Sequence, residues 1–241
     1  MERDNLVDIH SHIITKVDDG SENIEASIYL LRLAKNAGIK DLILTPHFRR
    51  GMFEASVDKI KEGFSELQKI AKENNIDINL YLGQEIYIRR VGSFKEYLEN
   101  GKVIPLNDTN YYLIEFSYDS EIDISEVVYN LKLLKKKAII AHIEKYNYIT
   151  LKEAEEIKAT GALIQVNASS IVGRYGFGMK RKTLKYIKEG LVDFVASDCH
   201  ATREYDYDKA YNLILRKFGS SVALKLFKDN AKVLLEKSDY E

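Results

Sequence analysis

The chain has 241 residues, with 36 lysines and arginines against 37 aspartates and glutamates, so its net charge of -1 gives no general reason to bind nucleic acid or an anionic membrane. A single cysteine excludes an internal disulfide framework and favours a reducing compartment, and no apolar run approaches the ~20 residues of a membrane span. We therefore expect one cytoplasmic α/β domain over residues 1–241, without nucleic-acid binding or membrane insertion.

The first predicted element, a strand from Leu6 to His12, alternates in period 2. This places Asp8, His10 and His12 on one side, where two histidines two residues apart can bind a metal ion. The alternative is an exposed strand face or a pair of hydrogen-bonded core histidines. The other three histidines of the chain, each of which follows a short apolar run, are His47, His142 and His200. Their shared placement favours the metal site.

A strand and then a helix repeat along the rest of the chain. Further strands are predicted at 41–45, 78–84, 111–114, 138–141, 162–166 and 193–197. Helices are predicted from a Ser21 cap to Gly38, then at 57–71, 93–100 and 125–136, from a Thr150–Glu153 capping box to Gly161, at 180–189, and from about Tyr207 onwards. Seven apolar strands alternating with helices predict a mainly parallel sheet covered on both faces, and a seven-unit barrel fits best.

In such a barrel the C-terminal ends of the strands meet at one face, where active sites lie. The residues with metal-binding side chains that the strands bring there are His10, His12, Asp19, His47, Glu85, Glu115, His142, Asp198 and His200. Five imidazoles and four carboxylates without a thiolate suit Mn²⁺, Fe or Zn²⁺. Nine donors are too many for one ion, so we expect two or three adjacent divalent metal ions, with Mn²⁺ preferred. Taken singly, Glu85 and Glu115 fit solvated rim residues and Asp198 fits a helix cap better than each fits a metal ligand, and it is their combination that favours a shared site.

A cluster of this kind suits cleavage of a phosphate ester, because a hydroxide bridging the metal ions is a nucleophile at neutral pH. No side-chain nucleophile is then needed. Cys199 lacks the arginine of the Cys-x5-Arg pattern, since residue 205 is tyrosine. We interpret Cys199 as a small packing residue.

Taken together, the motifs resemble the polymerase-and-histidinol-phosphatase (PHP) superfamily, and within it the bacterial capsule-biosynthesis tyrosine phosphatases. The motifs that carry the resemblance are Asp8-Ile9-His10-Ser11-His12, Val17-Asp18-Asp19-Gly20, Thr45-Pro46-His47, Gly83-Gln84-Glu85, Ile114-Glu115-Phe116, Ala141-His142, Val166-Asn167-Ala168 and Ala196-Ser197-Asp198-Cys199-His200. The resemblance runs from about Val7 to His200 in the same order. It implies a distorted seven-stranded (β/α)7 barrel that holds three metal ions.

The resemblance also implies how the ligands divide. The first ion would take His10, His12, Glu85 and Asp198. Glu85 would bridge to a second ion, completed by Glu115 and His142. The third ion would take Asp19, His47 and His200. Asp8 either orients a ligand imidazole or is an ordinary buried hydrogen-bonding aspartate.

Five cationic residues are candidates for binding the substrate phosphate. They are Lys145 and Arg203, interpreted as catalytic, and Arg49, Arg50 and Arg174, interpreted as substrate-binding. Each is otherwise a solvated rim charge. The resembling phosphatases usually have His-x-Glu-Arg-Tyr where this chain has His142-Ile143-Glu144-Lys145-Tyr146, so Lys145 keeps the charge without the bidentate fork. The loop from Gly173 to Gly178 lacks the Gly-Lys-Ser/Thr ending of a phosphate-binding loop, so we expect a mobile lid.

The function that the resemblance implies is a metal-dependent phosphotyrosine phosphatase. Its partner would be a bacterial tyrosine kinase that regulates capsular or exopolysaccharide synthesis. One alternative is a small-molecule phosphomonoesterase of the same superfamily, such as histidinol-phosphate phosphatase. Another is an amidohydrolase, although its fourth strand would usually end in a metal-bridging lysine where this chain has Glu115. A third is a non-catalytic metal-binding regulator.

Overall fold

The computed structural model describes residues 5–118 and 120–236. Within them, nine strands pair in parallel: β1 Leu6–Asp8, β2 Ile39–Leu44, β3 His47–Phe48, β4 Asn79–Leu82, β5 Glu85–Ile88, β6 Tyr111–Phe116, β7 Lys137–Ile140, β8 Leu163–Asn167 and β9 Phe194–Ala196. One sheet has the order β1-β2-β4 and the other β3-β5-β6-β7-β8-β9. The α/β fold is as predicted. Residues 1–4, 119 and 237–241 of the predicted single domain lie outside the described residues, and that domain stays a prediction.

The helices are α1 Ile24–Asn36, α2 Val57–Glu73, α3 Ser93–Glu99, α4 Ile124–Leu133, α5 Leu151–Ala159, α6 Ala168–Val172, α7 Phe177–Lys188, α8 Tyr207–Phe218, α9 Ser220–Leu224 and α10 Lys232–Leu235. The predicted Thr150–Glu153 capping box is confirmed. The predicted Ser21 cap is wrong, because the Asn23 side chain accepts the hydrogen bond from the Ala26 amide. No described helix is both long and apolar enough to cross a membrane.

Two predicted strands are each followed by a further short strand that was not predicted, which is why the structure has nine strands where seven were predicted. Thr45 and Pro46 separate β2 from β3, and Gly83 and Gln84 separate β4 from β5. Pro46 has no N–H to donate to a strand ladder. Each break falls directly before a predicted metal ligand, and in the second sheet His47 of β3 is in register with Glu85 of β5.

Apart from β4, whose residues are partly exposed, the strands are largely buried on both faces, as their apolar sequences predict. One apolar cluster joins residues such as Leu42 and Ile114 to the surrounding helices. A smaller cluster on the other face contains Leu113 and Ala196. Glu115 and Asp198 follow these two residues at a spacing of two, so the apolar layer supports their backbone below the site.

Hydrogen bonds beyond the ends of β1 and β9 bring the first and last strands of the fold together. The His12 amide donates to the Cys199 carbonyl, and the Asp198 amide donates to the His10 carbonyl, each at 3.0 Å. These contacts place the two histidines after β1 beside the acid after β9, although His12 and Asp198 are 186 positions apart in the sequence.

Candidate metal centre

All nine predicted donors meet at the C-terminal side of the strands, and four of them surround one point. The Nε2 atoms of His10 and His12 are 3.1 Å apart. Oε2 of Glu85 lies 3.1 and 3.3 Å from these nitrogens, and Oδ1 of Asp198 lies 3.7 Å from both. Donors about 2.1 Å from one ion at tetrahedral angles lie about 3.4 Å from each other. The spacing therefore matches the coordination shell of one metal ion.

A second group of donors lies around Glu85. Oε1 of Glu85 is 2.9 Å from Nε2 of His142. The same nitrogen of His142 is 3.8 Å from Oε1 of Glu115. Oε2 of Glu85 is 3.0 Å from Nδ1 of His47. The Glu85 carboxylate thus faces two groups of donors with its two oxygens, as a bridging ligand would.

The third group contains His12, Asp19, His47 and His200. Oδ1 of Asp19 is 3.6 Å from Nε2 of His47 and 3.4 Å from Nε2 of His200. Asp19 is half exposed, whereas the other three side chains are largely buried. This group therefore lies at the solvent side of the cluster.

Several of the donor atoms are buried and have no hydrogen-bond partner among the described residues. They are Nδ1 of His47, Oε2 of Glu85, Oε2 of Glu115 and Nε2 of His200. Burying unpaired polar atoms is costly, and burial together with the Glu85 charge raises the pKa of Glu115 to about 7. Divalent cations between these donors would satisfy the unpaired atoms and favour the ionised carboxylates. The donor set therefore fits bound metal ions.

Two residues absent from the predicted site hold the imidazoles in place. Nδ1 of His12 lies 2.7 Å from Oδ2 of Asp18, which also accepts a hydrogen bond from the His47 amide at 2.9 Å. Oε1 of Gln165 lies 3.2 Å from Nδ1 of His10 and accepts from the His142 amide at 2.9 Å. These contacts turn the Nε2 atoms of both histidines towards the cluster. Gln165 was detectable in the sequence as a polar residue within an apolar strand.

Asp8 is a buried hydrogen-bonding residue and does not orient a ligand imidazole. Its carboxylate accepts hydrogen bonds from the Ser197 amide at 3.0 Å and from the Tyr205 hydroxyl at 2.9 Å. Its contact with His10 is to the backbone amide, at 3.4 Å. Asp8 therefore fixes the segment that leads to Asp198.

The two predicted catalytic cations both contact Asp198. Oδ2 of this acid accepts from Nζ of Lys145 at 2.8 Å, from Nη1 of Arg203 at 3.1 Å and from Nδ2 of Asn167 at 2.7 Å. Its Oδ1 faces His10 and His12. Burial lowers the pKa of the Lys145 ammonium, but the Asp198 carboxylate more than compensates, so the pKa is raised and the group stays charged. The Lys145 side chain is 15% exposed and that of Arg203 is 42% exposed.

The three predicted substrate-binding arginines lie in different places. Arg49 stacks on Tyr87, with its guanidinium carbon 4.3 Å from the ring centre. Arg50 forms an exposed ion pair of 2.8 Å with Glu96. Arg174 contacts Asp206 through Nε at 2.7 Å and Nη2 at 2.9 Å, so it links the segment after α6 to the start of α8.

The structure also bears on Cys199 and on the predicted loop. Cys199 is buried in the apolar core, and burial raises the pKa of its thiol, which confirms the packing interpretation. The predicted loop from Gly173 to Gly178 is shorter than expected, because Phe177 and Gly178 belong to α7. The side chains of Tyr175 and Phe177 are exposed, and the Tyr175 ring centre lies 5.5 Å from Nζ of Lys145. The lid stays a prediction.

Comparison with known proteins shows which family the sequence of this chain matches. The family model for capsular polysaccharide synthesis, CpsB/CapC, matches residues 6–236. The tyrosine-protein phosphatase CpsB of Streptococcus pneumoniae is 35% identical over 240 residues, covering 95% of this chain and 98% of that protein. The tyrosine-protein phosphatase YwqE of Bacillus subtilis is 32% identical over 235 residues, covering 95% and 91%.

A solved structure agrees with these sequence matches. It is described as one of the crystal structures of YwqE from Bacillus subtilis and CpsB from Streptococcus pneumoniae, unique metal-dependent tyrosine phosphatases. Its TM-score against this chain is 0.89 at 29% sequence identity, with 97% of this chain and 96% of that chain covered.

Proposed function

The chain belongs to the CpsB/CapC family of capsular polysaccharide synthesis proteins, and from this we infer that it is a metal-dependent tyrosine-protein phosphatase. The observation that carries the proposal is the convergence of five imidazoles and four carboxylates on one face, with unpaired donor atoms directed at shared points. The one thiol of the chain is buried, so it is not available as a nucleophile.

We assign the nine donors to two or three divalent metal ions, with Mn²⁺ preferred and Fe or Zn²⁺ as alternatives. The ligands are His10, His12, Asp19, His47, Glu85, Glu115, His142, Asp198 and His200. When bound, such ions lower the pKa of water and neutralise charge that develops on a phosphoryl group. Glu85, which faces two groups of donors, is the bridging ligand in this assignment.

The surrounding residues hold the ligands and receive the substrate. Lys145 and Asn167 fix Asp198 through one oxygen, so its other oxygen stays directed at the histidines. Arg203 contacts the same oxygen from the rim and is exposed enough to donate a second N–H to a phosphoryl oxygen as well. The hydroxyl of Tyr118 donates to Oε1 of Glu115 at 3.0 Å and orients that carboxylate.

The substrate of this proposal is phosphotyrosine in a polypeptide. Tyr175 is 44% exposed, its ring centre lies 5.5 Å from Nζ of Lys145, and it lines a small cavity together with Arg203. Exposed aromatic side chains beside a reaction site favour a substrate that extends beyond the site, more than a small phosphomonoester that is enclosed by it. In keeping with the family, we propose a bacterial tyrosine kinase that regulates capsular or exopolysaccharide synthesis as the partner.

The test is hydrolysis by the purified protein, with its metal content measured, of a phosphotyrosine peptide, a phosphoserine peptide of the same sequence and histidinol phosphate. We expect phosphotyrosine to be preferred and a chelator to abolish its hydrolysis. A preference for histidinol phosphate would instead identify a small-molecule phosphomonoesterase. Full activity in a metal-free sample would contradict the metal-dependent function.

A further inference from the structure

A basic pocket of about 710 Å³ opens beside the candidate metal centre. It lies among β3, β5, the start of α3 and the segment after β6, and four arginines line it: Arg49, Arg50, Arg89 and Arg90. Among its described lining residues, Glu121 is the single carboxylate. Its volume lies in the range of pockets that bind a drug-sized molecule. The chain as a whole is close to neutral, so this concentration of positive charge is local.

Strand register places this pocket directly next to the metal centre. Tyr87, which lies in the pocket, is paired in register with the predicted ligand Glu115 on the neighbouring strand. It also follows Glu85 at a spacing of two, so the two side chains point to the same side of the sheet. Two residues along a strand span about 6.6 Å. The Cα atom of Tyr87, a residue that lines the pocket, therefore lies about 7 Å along the strand from that of Glu85.

Two of the four arginines have no carboxylate partner among the described residues. Arg49 is held against Tyr87 by stacking, which leaves its N–H groups available at the ring edge. Arg89 is exposed and forms no ion pair with a described residue. Arg50 is paired with Glu96, whereas Arg90 approaches the same acid only at 4.0 Å. The pocket thus has guanidinium groups with no carboxylate partner among the described residues, and such groups can bind an anion from outside the chain.

We propose that this pocket is a subsite for a second anionic side chain of the polypeptide whose phosphotyrosine occupies the metal centre. Guanidinium groups bind both carboxylates and phosphates through paired N–H donors. An extended peptide spans about 3.3–3.6 Å per residue, so a side chain two to four residues from the phosphotyrosine reaches the pocket. The subsite makes the enzyme select phosphotyrosines with acidic or phosphorylated neighbours. The proposal rests on the proposed phosphatase function.

The test compares the parent with an Arg89→Ala/Arg90→Ala double variant. Both residues are exposed and belong to neither the predicted ligands nor the predicted cations, and since exposed substitutions usually change stability little, we expect the fold to be retained. The substrates are p-nitrophenyl phosphate and three peptides of equal length, each with one central phosphotyrosine. The peptides differ only at the position three residues away from this phosphotyrosine, which is alanine in the first, aspartate in the second and another phosphotyrosine in the third. The control is Arg32→Ala/Arg216→Ala, which changes the net charge equally at two exposed arginines outside the pocket.

We expect the parent to hydrolyse the two anionic peptides with kcat/KM about five- to tenfold above that for the alanine peptide, at low salt. The double variant loses most of this preference and keeps its activity on p-nitrophenyl phosphate and the alanine peptide within about twofold. The control variant keeps the preference. The aspartate and phosphotyrosine peptides distinguish a carboxylate from a phosphate as the natural ligand.

Other outcomes would contradict the proposed subsite. A parent that hydrolyses all three peptides equally well has no such subsite, although its phosphatase function stands. A double variant that loses activity equally on every substrate, or a control variant that loses the same preference, also contradicts it. If the metal-loaded parent hydrolyses none of the substrates, the phosphatase function itself is wrong and the subsite with it.

Discussion

The two oxygens of the Asp198 carboxylate have different surroundings. One faces His10 and His12, and the other accepts hydrogen bonds from Lys145, Arg203 and Asn167. A carboxylate held in this way keeps its free oxygen in one position, which is what a metal ligand requires. The predicted catalytic cations are therefore linked to a predicted ligand, and their substitution tests both roles.

We predict that Lys145→Ala lowers kcat/KM on a phosphotyrosine peptide by about ten- to a hundredfold, because a hydrogen bond between charged groups is lost beside the site. Lys145→Arg should retain most of the activity, since it keeps the charge and adds a second donor. Metal content, measured in each variant, separates the roles. A fall in metal content identifies Lys145 as a positioning residue for Asp198, and unchanged metal content with lost activity places it on the phosphate. A loss below about twofold would contradict both.

For Cys199 we predict that substitution has little effect on activity. Cys199→Ser should keep kcat/KM within a few-fold of the parent, because the thiol is buried and its raised pKa keeps it protonated at neutral pH. His10→Ala should abolish activity. Inactivation of the parent by a thiol-alkylating reagent, without loss of metal, would overturn the metal-dependent mechanism.

At the scale of the elements, the chain between His12 and Gly20 forms a loop that brings Gly20 into contact with the backbone of His12, a predicted ligand. A Cβ atom added at Gly20 would lie 2.2 Å from the His12 carbonyl oxygen and 2.6 Å from its Cβ. Neither contact is tolerated, and the His12 backbone cannot move without displacing its imidazole. Asp18 and Asp19, which the same loop carries, would move with it.

We therefore predict that Gly20→Ala destabilises the fold by about 1–3 kcal/mol and lowers phosphatase activity at least tenfold. The measurements are chemical denaturation and kcat/KM, together with metal content. Gly178→Ala is the control, because nothing lies within 4 Å of its added Cβ in α7, where alanine favours the helix. If the two variants had the same stability, kcat/KM and metal content, the close approach at Gly20 would have no role.

For the whole molecule, bound metal ions should contribute to stability as well as to chemistry. We predict two or three ions per chain by elemental analysis of protein purified without chelator. An ion present at a hundred times its dissociation constant stabilises the folded state by about 2.7 kcal/mol, so removing one such ion should lower Tm by about 5–11 °C. Restoring Mn²⁺ should restore Tm and activity together. A chelator that leaves Tm unchanged would show that the donors hold no tightly bound ion.

The sequence by itself determined the class of the fold and which donors converge in the candidate site. Each predicted donor stands directly after an apolar run or in a short motif, as His142 follows Ala138 to Ala141. Parallel strands bring their C-terminal ends to one face, so the order of apolar runs and polar residues was sufficient to predict that the donors meet. The Thr150–Glu153 capping box was predictable for a similar reason, because both of its hydrogen bonds are local.

Only the tertiary structure decided how each donor is held and where the strands break. The partners of His12, His10 and Asp198 come from distant segments, through Asp18, Gln165 and Lys145. The four arginines of the basic pocket likewise belong to two separate stretches of the chain. A sequence pattern records which side chains a segment carries along its own strand or helix. Hydrogen bonds between segments depend on distances and angles that exist only after the sheets have paired, so residue spacing alone does not determine them.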